Sequence, residues 1–460
     1  MIKRVGLSAG VGLFFAMQAL PVPAGLSAEG WAVAAVAVLM ALWWFTEAVP
    51  LTMTALLPFL LLPLLGAGSA GKIAGTYYSP ILFLVLGGAI VAIAIEKAGL
   101  HRRVALAVAA RGGASPRRLV LAFMAATAIV SMIVSNTATA LIMTPVALAL
   151  IRARGQDDGF APALLLGVAY AASIGGLGTL VGSPTNGIAA AMIDRTLDIR
   201  IDFVTWSTFG LPMVFLGVPA AAWLLNRALR VPHAAFDRQA VLAAIGTPGA
   251  WSPLEKRVAP LVVALILGWT VLPLIKDRIG LSALDDGMTA IAAALLLFIL
   301  PGGNGRPILE WPDARGVPWD VIMMFGGGLA LADAITASGL ALWIGQQLSG
   351  LGTIPIWALA LLLTALVILV TEFASNVATA SGFLPVVAGV ATATGLDPLA
   401  LAMPAALAAS WGFMMPAGTG PNAIAYATGQ VRVGQMVRAG FLIDLLGIPL
   451  IVAVCFAVAP

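Results

Sequence analysis

The stretch SNTATALIMTP at 135–145 returns as SNVATASGFLP at 375–385, with six of the eleven positions unchanged after a shift of 240 residues. The same shift aligns Gly87-Gly88 with Gly327-Gly328 and Ala98-Gly99-Leu100 with Ser338-Gly339-Leu340. About half of the chain is therefore a copy of the other half. Duplication of this kind inside a greasy sequence is a mark of secondary transporters, whose two repeats frame a site near the bilayer midplane.

Composition agrees. Hydrophobic residues make up 61% of the 460 and charged ones 10%, and the mean hydropathy is +1.04, which excludes an ordinary soluble domain and predicts an all-α polytopic membrane protein. Apolar stretches of spanning length lie at 5–21, 30–48, 51–66, 79–97, 161–194, 205–226, 258–275, 285–301, 319–345, 398–427 and 439–459, about eleven in all. The first reads as a true span rather than a signal peptide, because the charge bias works with it in place. With the N-terminus inside, the arginine-bearing segments 101–118, 227–257, 302–318 and 432–438 all fall on the cytoplasmic side of an inner membrane, and the C-terminus lies outside. The net charge of +4 reports this orientation and does not suggest nucleic acid.

Two segments do not fit as spans. Only 33 residues separate Arg118 from Arg152, too few for two crossings, yet both ends should stay inside. A re-entrant hairpin over about 119–151 satisfies both facts and puts Ser135-Asn136-Thr137 at its tip. The copy, about 354–392, has the same tip and should enter from outside. An odd number of spans, about five, separates equivalent points, so the two repeats have inverted topology. The predicted organisation is scaffold helices over 1–78, a first repeat over 79–228, a cytoplasmic linker over 229–257, further scaffold helices over 258–318, and the second repeat with the last span over 319–460.

Downstream of each hairpin the apolar span is broken again, by SIGGLGTLVGSPTNGIAA at 173–190 and SWGFMMPAGTGPNAIAY at 410–426. Gly, Pro and Asn there should unwind the helix, exposing carbonyl oxygens on one side and free N–H groups on the other. N-terminal helix ends attract anions, and exposed carbonyls and hydroxyls suit a hard cation such as sodium. One such motif alone reads more simply as helix packing, but its mirrored recurrence favours a site. No lysine or arginine occurs over 119–151, 155–194 or 353–431. A bound anion would thus rely on helix ends, polar side chains and co-bound cations. Carrying a dianion into a negative-inside cell costs about 2.3 kcal/mol per charge per 100 mV, so coupling to two or more cations is expected.

Other polar residues are weaker candidates. Asp333 faces Ile93 in the repeat alignment and Glu372 faces Met132, so neither belongs to a symmetric site. His101 and His233 sit among arginines in expected loops, Trp43-Trp44 reads as an interfacial anchor, and Cys455 reads as a packing residue. The spans hold no aspartate pair, Ser/His couple or His-Glu-x-x-His, so an intramembrane enzyme is not expected. No organic cofactor is expected either.

The chain resembles the divalent anion:sodium symporters, carriers of dicarboxylates, citrate or sulfate. The resemblance rests on WWFTEAVPLTMTALLP at 43–58, GLHRRVAL at 99–106, SNTATALIMTP at 135–145, DDGMTAIAAALLLFILP at 285–301 and both breaks. It implies a homodimer of subunits with scaffold and transport domains, moving a small dianion by an elevator-like displacement. It implies a first sodium site of Ser131, Ser135, Asn136 and Gly182, and by symmetry a second of Thr371, Ala374, Asn376 and Gly418. Substrate contacts would come from Ser135, Asn136, Thr137, Ser375 and Asn376, with Pro184, Thr185, Thr419 and Gly420 shaping the pocket. Here the family's second Ser-Asn-Thr ends in Val377, and its Thr-Pro-Pro-Asn appears as Ser183-Pro184-Thr185-Asn186 and Thr419-Gly420-Pro421-Asn422. A C4-dicarboxylate such as succinate or malate is the expected solute; the alternatives are sodium-independent dicarboxylate exchange by the same fold, or another small dianion such as sulfate.

Overall fold

A computed structural model describes residues 2–154, 158–233, 239, 243, 246, 249–303, 305–347, 354–394 and 396–458. These residues form helices and no strands, with one isolated bridge between Pro301 and Pro307. The chain opens with α1 (Ile2–Ala19) and α2 (Ala28–Thr46), which pack on each other, followed by the short α3 (Leu51–Thr54), α4 (Leu57–Leu64) and α5 (Ala70–Thr76). The expected span over 51–66 is therefore interrupted. The Tyr77 hydroxyl donates to the Ala55 carbonyl at the interruption, 2.7 Å away.

The two repeats then follow the same order. The first comprises α6 (Pro80–Ala98), α7 (Leu100–Ala109), α8 (Pro116–Ser131), α9 (Asn136–Arg154), α10 (Phe160–Gly176), α11 (Pro184–Leu197) and α12 (Phe203–Ala228). After α13 (Pro253–Ile275) and α14 (Asp286–Ile299), the second comprises α15 (Trp319–Ala337), α16 (Leu340–Gln347), α17 (Ile356–Thr371), α18 (Asn376–Thr394), α19 (Pro398–Ala408), α20 (Gly420–Ala427) and α21 (Val433–Val458). Each is a long helix, a short helix, a helical hairpin, an interrupted helix and a final helix of 26 residues.

Local sequence explains the joints. Ser79 caps α6 by accepting from the Ile81 amide, Pro80 opens the helix, and Gly99 ends it with φ +79°, a left-handed value that only glycine adopts freely. Gly339 repeats this at φ +75° between α15 and α16. The expected single stretch 319–345 is thus two helices, and the segment 101–118, expected as a loop, is instead the helix α7, a 3-10 turn at Ala110–Gly112 and the start of α8. Arg103 on α7 holds Glu255 with two bonds of 2.7 and 3.1 Å, and that contact draws the Arg103 pKa upward.

The packing centres on α10, whose residues are all buried, with α8, α9, α12 and α20 around it. Apolar helices in a bilayer gain little from burial as such, so close backbone approach supplies the cohesion. Gly175 shows why small residues are needed: a Cβ there would lie 2.4 Å from the Ala128 Cα.

Among the described residues, seven helices are long and apolar enough to cross a membrane: Ala28–Thr46, Pro80–Ala98, Asn136–Ala153, Phe203–Ala228, Pro253–Ile275, Trp319–Ala337 and Val433–Val458. The expected spans over 161–194 and 398–427 each fall into two shorter helices because of their Gly/Pro breaks, so neither passes by length. Trp44 is not an interfacial anchor: it is 1% exposed, and its indole N–H donates to the Leu51 carbonyl at 3.2 Å. Most of the expected linker between 234 and 248 lies outside the described residues.

Candidate functional site

Each hairpin turns over four residues. Ser131 ends α8 and Asn136 begins α9; Thr371 ends α17 and Asn376 begins α18. The serine just before each asparagine caps the new helix, since Ser135 Oγ accepts from the Ala138 amide at 3.3 Å and Ser375 Oγ from the Ala378 amide at 3.2 Å. Both interrupted helices restart beside these tips. Thr419 Oγ1 accepts from the Asn422 amide at 3.2 Å at the start of α20, and Ser183 precedes α11.

The four restarts enclose one cavity of about 460 Å³. Ser135, Asn136, Thr137, Pro184, Thr185, Ser375, Asn376, Val377, Thr419 and Gly420 all line it, with Gly182 and Gly418. Every residue expected to contact the solute is therefore present around a single space. Four helix N-termini meet there, and each is worth roughly 0.3–1 kcal/mol to a nearby anion, more where water is excluded. Gly420 is required by the closeness of the two repeats: a Cβ on it would lie 2.4 Å from Thr137 Oγ1.

Of the residues expected to hold cations, Ser131, Thr371 and Ala374 sit behind the cavity wall, and the others line it. Ser131, fully buried, has its hydroxyl 2.8 Å from the Asn136 amide and 2.7 Å from the Ala172 carbonyl. The inward side of the Asn136 amide group faces oxygens, and its other side faces donors. With its nitrogen turned inward it donates to Ser131 Oγ, Ala172 O and Gly182 O at 2.8, 3.1 and 3.3 Å. With its oxygen turned inward, that side presents oxygens alone, the ligand type a hard cation takes. The carbonyls of Ser131, Met132 and Gly176 converge on Gly182, at 3.0, 3.0 and 2.6 Å from where a Cβ on it would stand.

The second repeat reproduces this. Thr371, also fully buried, places its hydroxyl 3.0 Å from Asn376 Oδ1 and 2.8 Å from the Ala409 carbonyl. Ala374 is buried in the turn between them, and the carbonyls of Glu372 and Met415 lie beside Gly418. Two further asparagines brace the breaks in parallel. Asn186 Nδ2 donates to the Gly176 and Thr179 carbonyls at 2.7 and 2.8 Å, and Asn422 Nδ2 to Met415 and Gly412 at 3.1 and 3.5 Å. Their recurrence at the end of each break motif was a legible signal.

Glu372 has no acidic counterpart and does not line the cavity, yet it braces the second break: buried to 1% exposure, it accepts from the amides of Phe413, Met414 and Met415, the Met414 and Met415 bonds being 2.9 to 3.0 Å. In the first repeat Met132 contributes only its carbonyl, which accepts from the Thr179 hydroxyl.

The remaining candidates stay outside the cavity. Asp333 pairs with Arg195 at 3.0 Å, linking α15 to α11. His101 packs with its ring 3.2 Å from the Ile95 carbonyl, and burial, together with nearby Arg102, holds its pKa below the usual value despite that carbonyl. His233 is exposed and Cys455 is buried. Glu96, which no motif singled out, does line the cavity.

Comparison with known proteins identifies the family. The chain is 36% identical to the sodium-dependent dicarboxylate transporter SdcS of Staphylococcus saprophyticus, over all of this chain and 92% of that protein. It is 37% identical to the protein of the same name from Staphylococcus aureus strain bovine RF122, over all of this chain and 91% of that one. In fold it is similar to the Alcanivorax borkumensis YdaH transporter, with a TM-score of 0.55, 16% identity and coverage of 94% of this chain and 98% of that one. The profile of the family described as the sodium:sulfate symporter transmembrane region matches residues 2–458. With its paired tips and breaks, this chain belongs to that family of membrane transporters and is not an enzyme.

Proposed function

We propose that this protein is a sodium-coupled symporter of a small dicarboxylate, with a C4 acid such as succinate or malate as its solute. The observation that carries the reading is the mirrored arrangement at the cavity: helix N-termini facing inward for an anion, and carbonyl and hydroxyl clusters just behind for cations. The names of the staphylococcal relatives point the same way. Sodium enters as cargo. At the first site Ser131, Ser135, Asn136 and the Gly182 carbonyl hold one ion; at the second Thr371, Ala374, Asn376 and Gly418 hold another. Each ion fixes a hairpin tip, and the ordered tips then present Ser135, Thr137 and Ser375 to the carboxylates. Two or more sodium ions per dianion offset the cost of carrying negative charge inward.

The transport step follows as an elevator. The hairpins α8–α9 and α17–α18, entering the membrane from opposite faces, move with α10–α11 and α19–α20 as one body, while α6 and α15 belong to the static wall. We place the protein in the inner membrane as a homodimer, N-terminus cytoplasmic and C-terminus outside. Equilibrium binding tests the coupling at the site itself. Calorimetry on purified protein should show succinate binding that strengthens as sodium rises and vanishes in choline, with sodium affinity raised equally by succinate. Succinate binding of equal strength in sodium and choline would overturn the assignment.

A further inference from the structure

The wall facing the tips is a stripe of α6, on which Val85, Ala89, Ala92 and Glu96 recur at helical spacing toward the cavity. Glu96 is the one charged residue among the described residues that line it. It is partly buried, and its carboxylate has no hydrogen bond or ion pair among the described residues. The neighbouring cation is committed elsewhere, since Lys97 holds Asp313 at 2.6 Å. Burial alone would raise the Asp313 pKa, but the Glu310 amide and Lys97 bring it below its usual value, so Asp313 stays ionised and keeps Lys97 occupied. A bare carboxylate therefore looks into a space whose other polar groups are arranged for anions.

We propose that Glu96 is a charge-selectivity residue, which weakens the hold on a doubly charged solute, favours its release past Glu96, Gly316 and Pro318, and keeps sodium concentrated at that mouth. This rests on the dianion reading above. A dianion gripped by four helix N-termini and two cation sites gains affinity that slows its departure. A fixed negative charge across a wet cavity opposes that grip, twice as strongly in free energy for two charges as for one. At this scale the effect is about fivefold on dianion binding and about twofold on a monoanion at low ionic strength, and it shrinks as salt screens it.

The test is calorimetric binding of succinate and of its monomethyl ester to purified wild type, Glu96→Gln and Glu96→Asp. Sodium is held constant in these titrations and varied in a separate one without anion, and ionic strength is raised with choline chloride. Glu96→Gln should bind succinate about fivefold and the ester about twofold more tightly than wild type in low salt, with both gains fading in high salt, while the sodium concentration for half-saturation rises about twofold. Glu96→Asp should resemble wild type. The opposite signs for anion and cation separate this role from a merely structural one, which would move both the same way. Unchanged succinate affinity in Glu96→Gln, with wild type binding normally, overturns the proposal. If wild type binds no succinate, the dicarboxylate reading fails instead, and sulfate titrated into the same proteins decides the role of Glu96 by the same fivefold criterion.

Discussion

The first and second repeats reach the same arrangement of oxygens by different chemistry. In both, a hydroxyl at the end of one hairpin helix meets the asparagine that begins the next, and a carbonyl from the interrupted helix completes the contact. What holds the break in place differs. In the first, the Thr179 hydroxyl and the Met132 carbonyl meet as neutral partners. In the second, a buried carboxylate collects the amides of Phe413, Met414 and Met415. The backbone fold of the site is duplicated, while its electrostatics are not, so the second half is the more brittle. Each buried backbone donor left unsatisfied costs about 1–3 kcal/mol, and three of them depend on this one side chain.

The strongest way to break this comparison is Glu372→Gln, which puts an amide among three backbone donors. We expect a loss of about 3 kcal/mol or more, read as a lowered thermal midpoint and abolished sodium-driven uptake. Thr179→Val, its counterpart in the first repeat, should cost about 1 kcal/mol and leave measurable uptake. Equal damage from the two would mean that the repeats are energetically alike after all.

Next in size are the mirrored asparagines. Asn136→Ala and Asn376→Ala each remove one proposed cation ligand and one cavity-lining group, and each should raise the sodium concentration for half-maximal uptake by about tenfold, roughly 1.4 kcal/mol. A change in only one of them would assign coupling to that half. Gly420→Ala pushes a methyl group against Thr137 Oγ1; the overlap should raise the KM for the solute several-fold, about 1 kcal/mol, with the sodium dependence intact. Smallest is Val377→Thr, which restores a hydroxyl to the cavity. It should shift preference among dicarboxylates and sulfate by about threefold, measured by competition, without changing the thermal midpoint.

The duplicated motifs made the paired tips and breaks legible, because a repeat in sequence is a repeat in backbone. Ser135, Asn136, Ser375 and Asn376 were found that way, and all four line the cavity. Residues that break the repeat were not. Glu372 aligns with a methionine and was set aside, although its burial beside three bare amides makes it central to the second half. Glu96 stands outside both motifs on a helix that reads as plain hydrophobic span, and only packing brings it to the cavity. A helix joint was missed where one glycine suffices: Gly339 ends a helix inside the stretch 319–345, whose hydropathy barely changes. Trp44 reads as an interfacial residue by type alone, whereas the broken segment after it supplies the carbonyl that buries it.

The central claim is that the two mirrored oxygen clusters couple sodium to movement of a dianion. The most direct test is uptake of labelled succinate into proteoliposomes, with an inward sodium gradient set against an equal choline gradient. The account predicts accumulation in sodium alone, blocked by excess malate. Uptake that ignores sodium and needs only dicarboxylate inside the vesicles would contradict it and make the protein an exchanger.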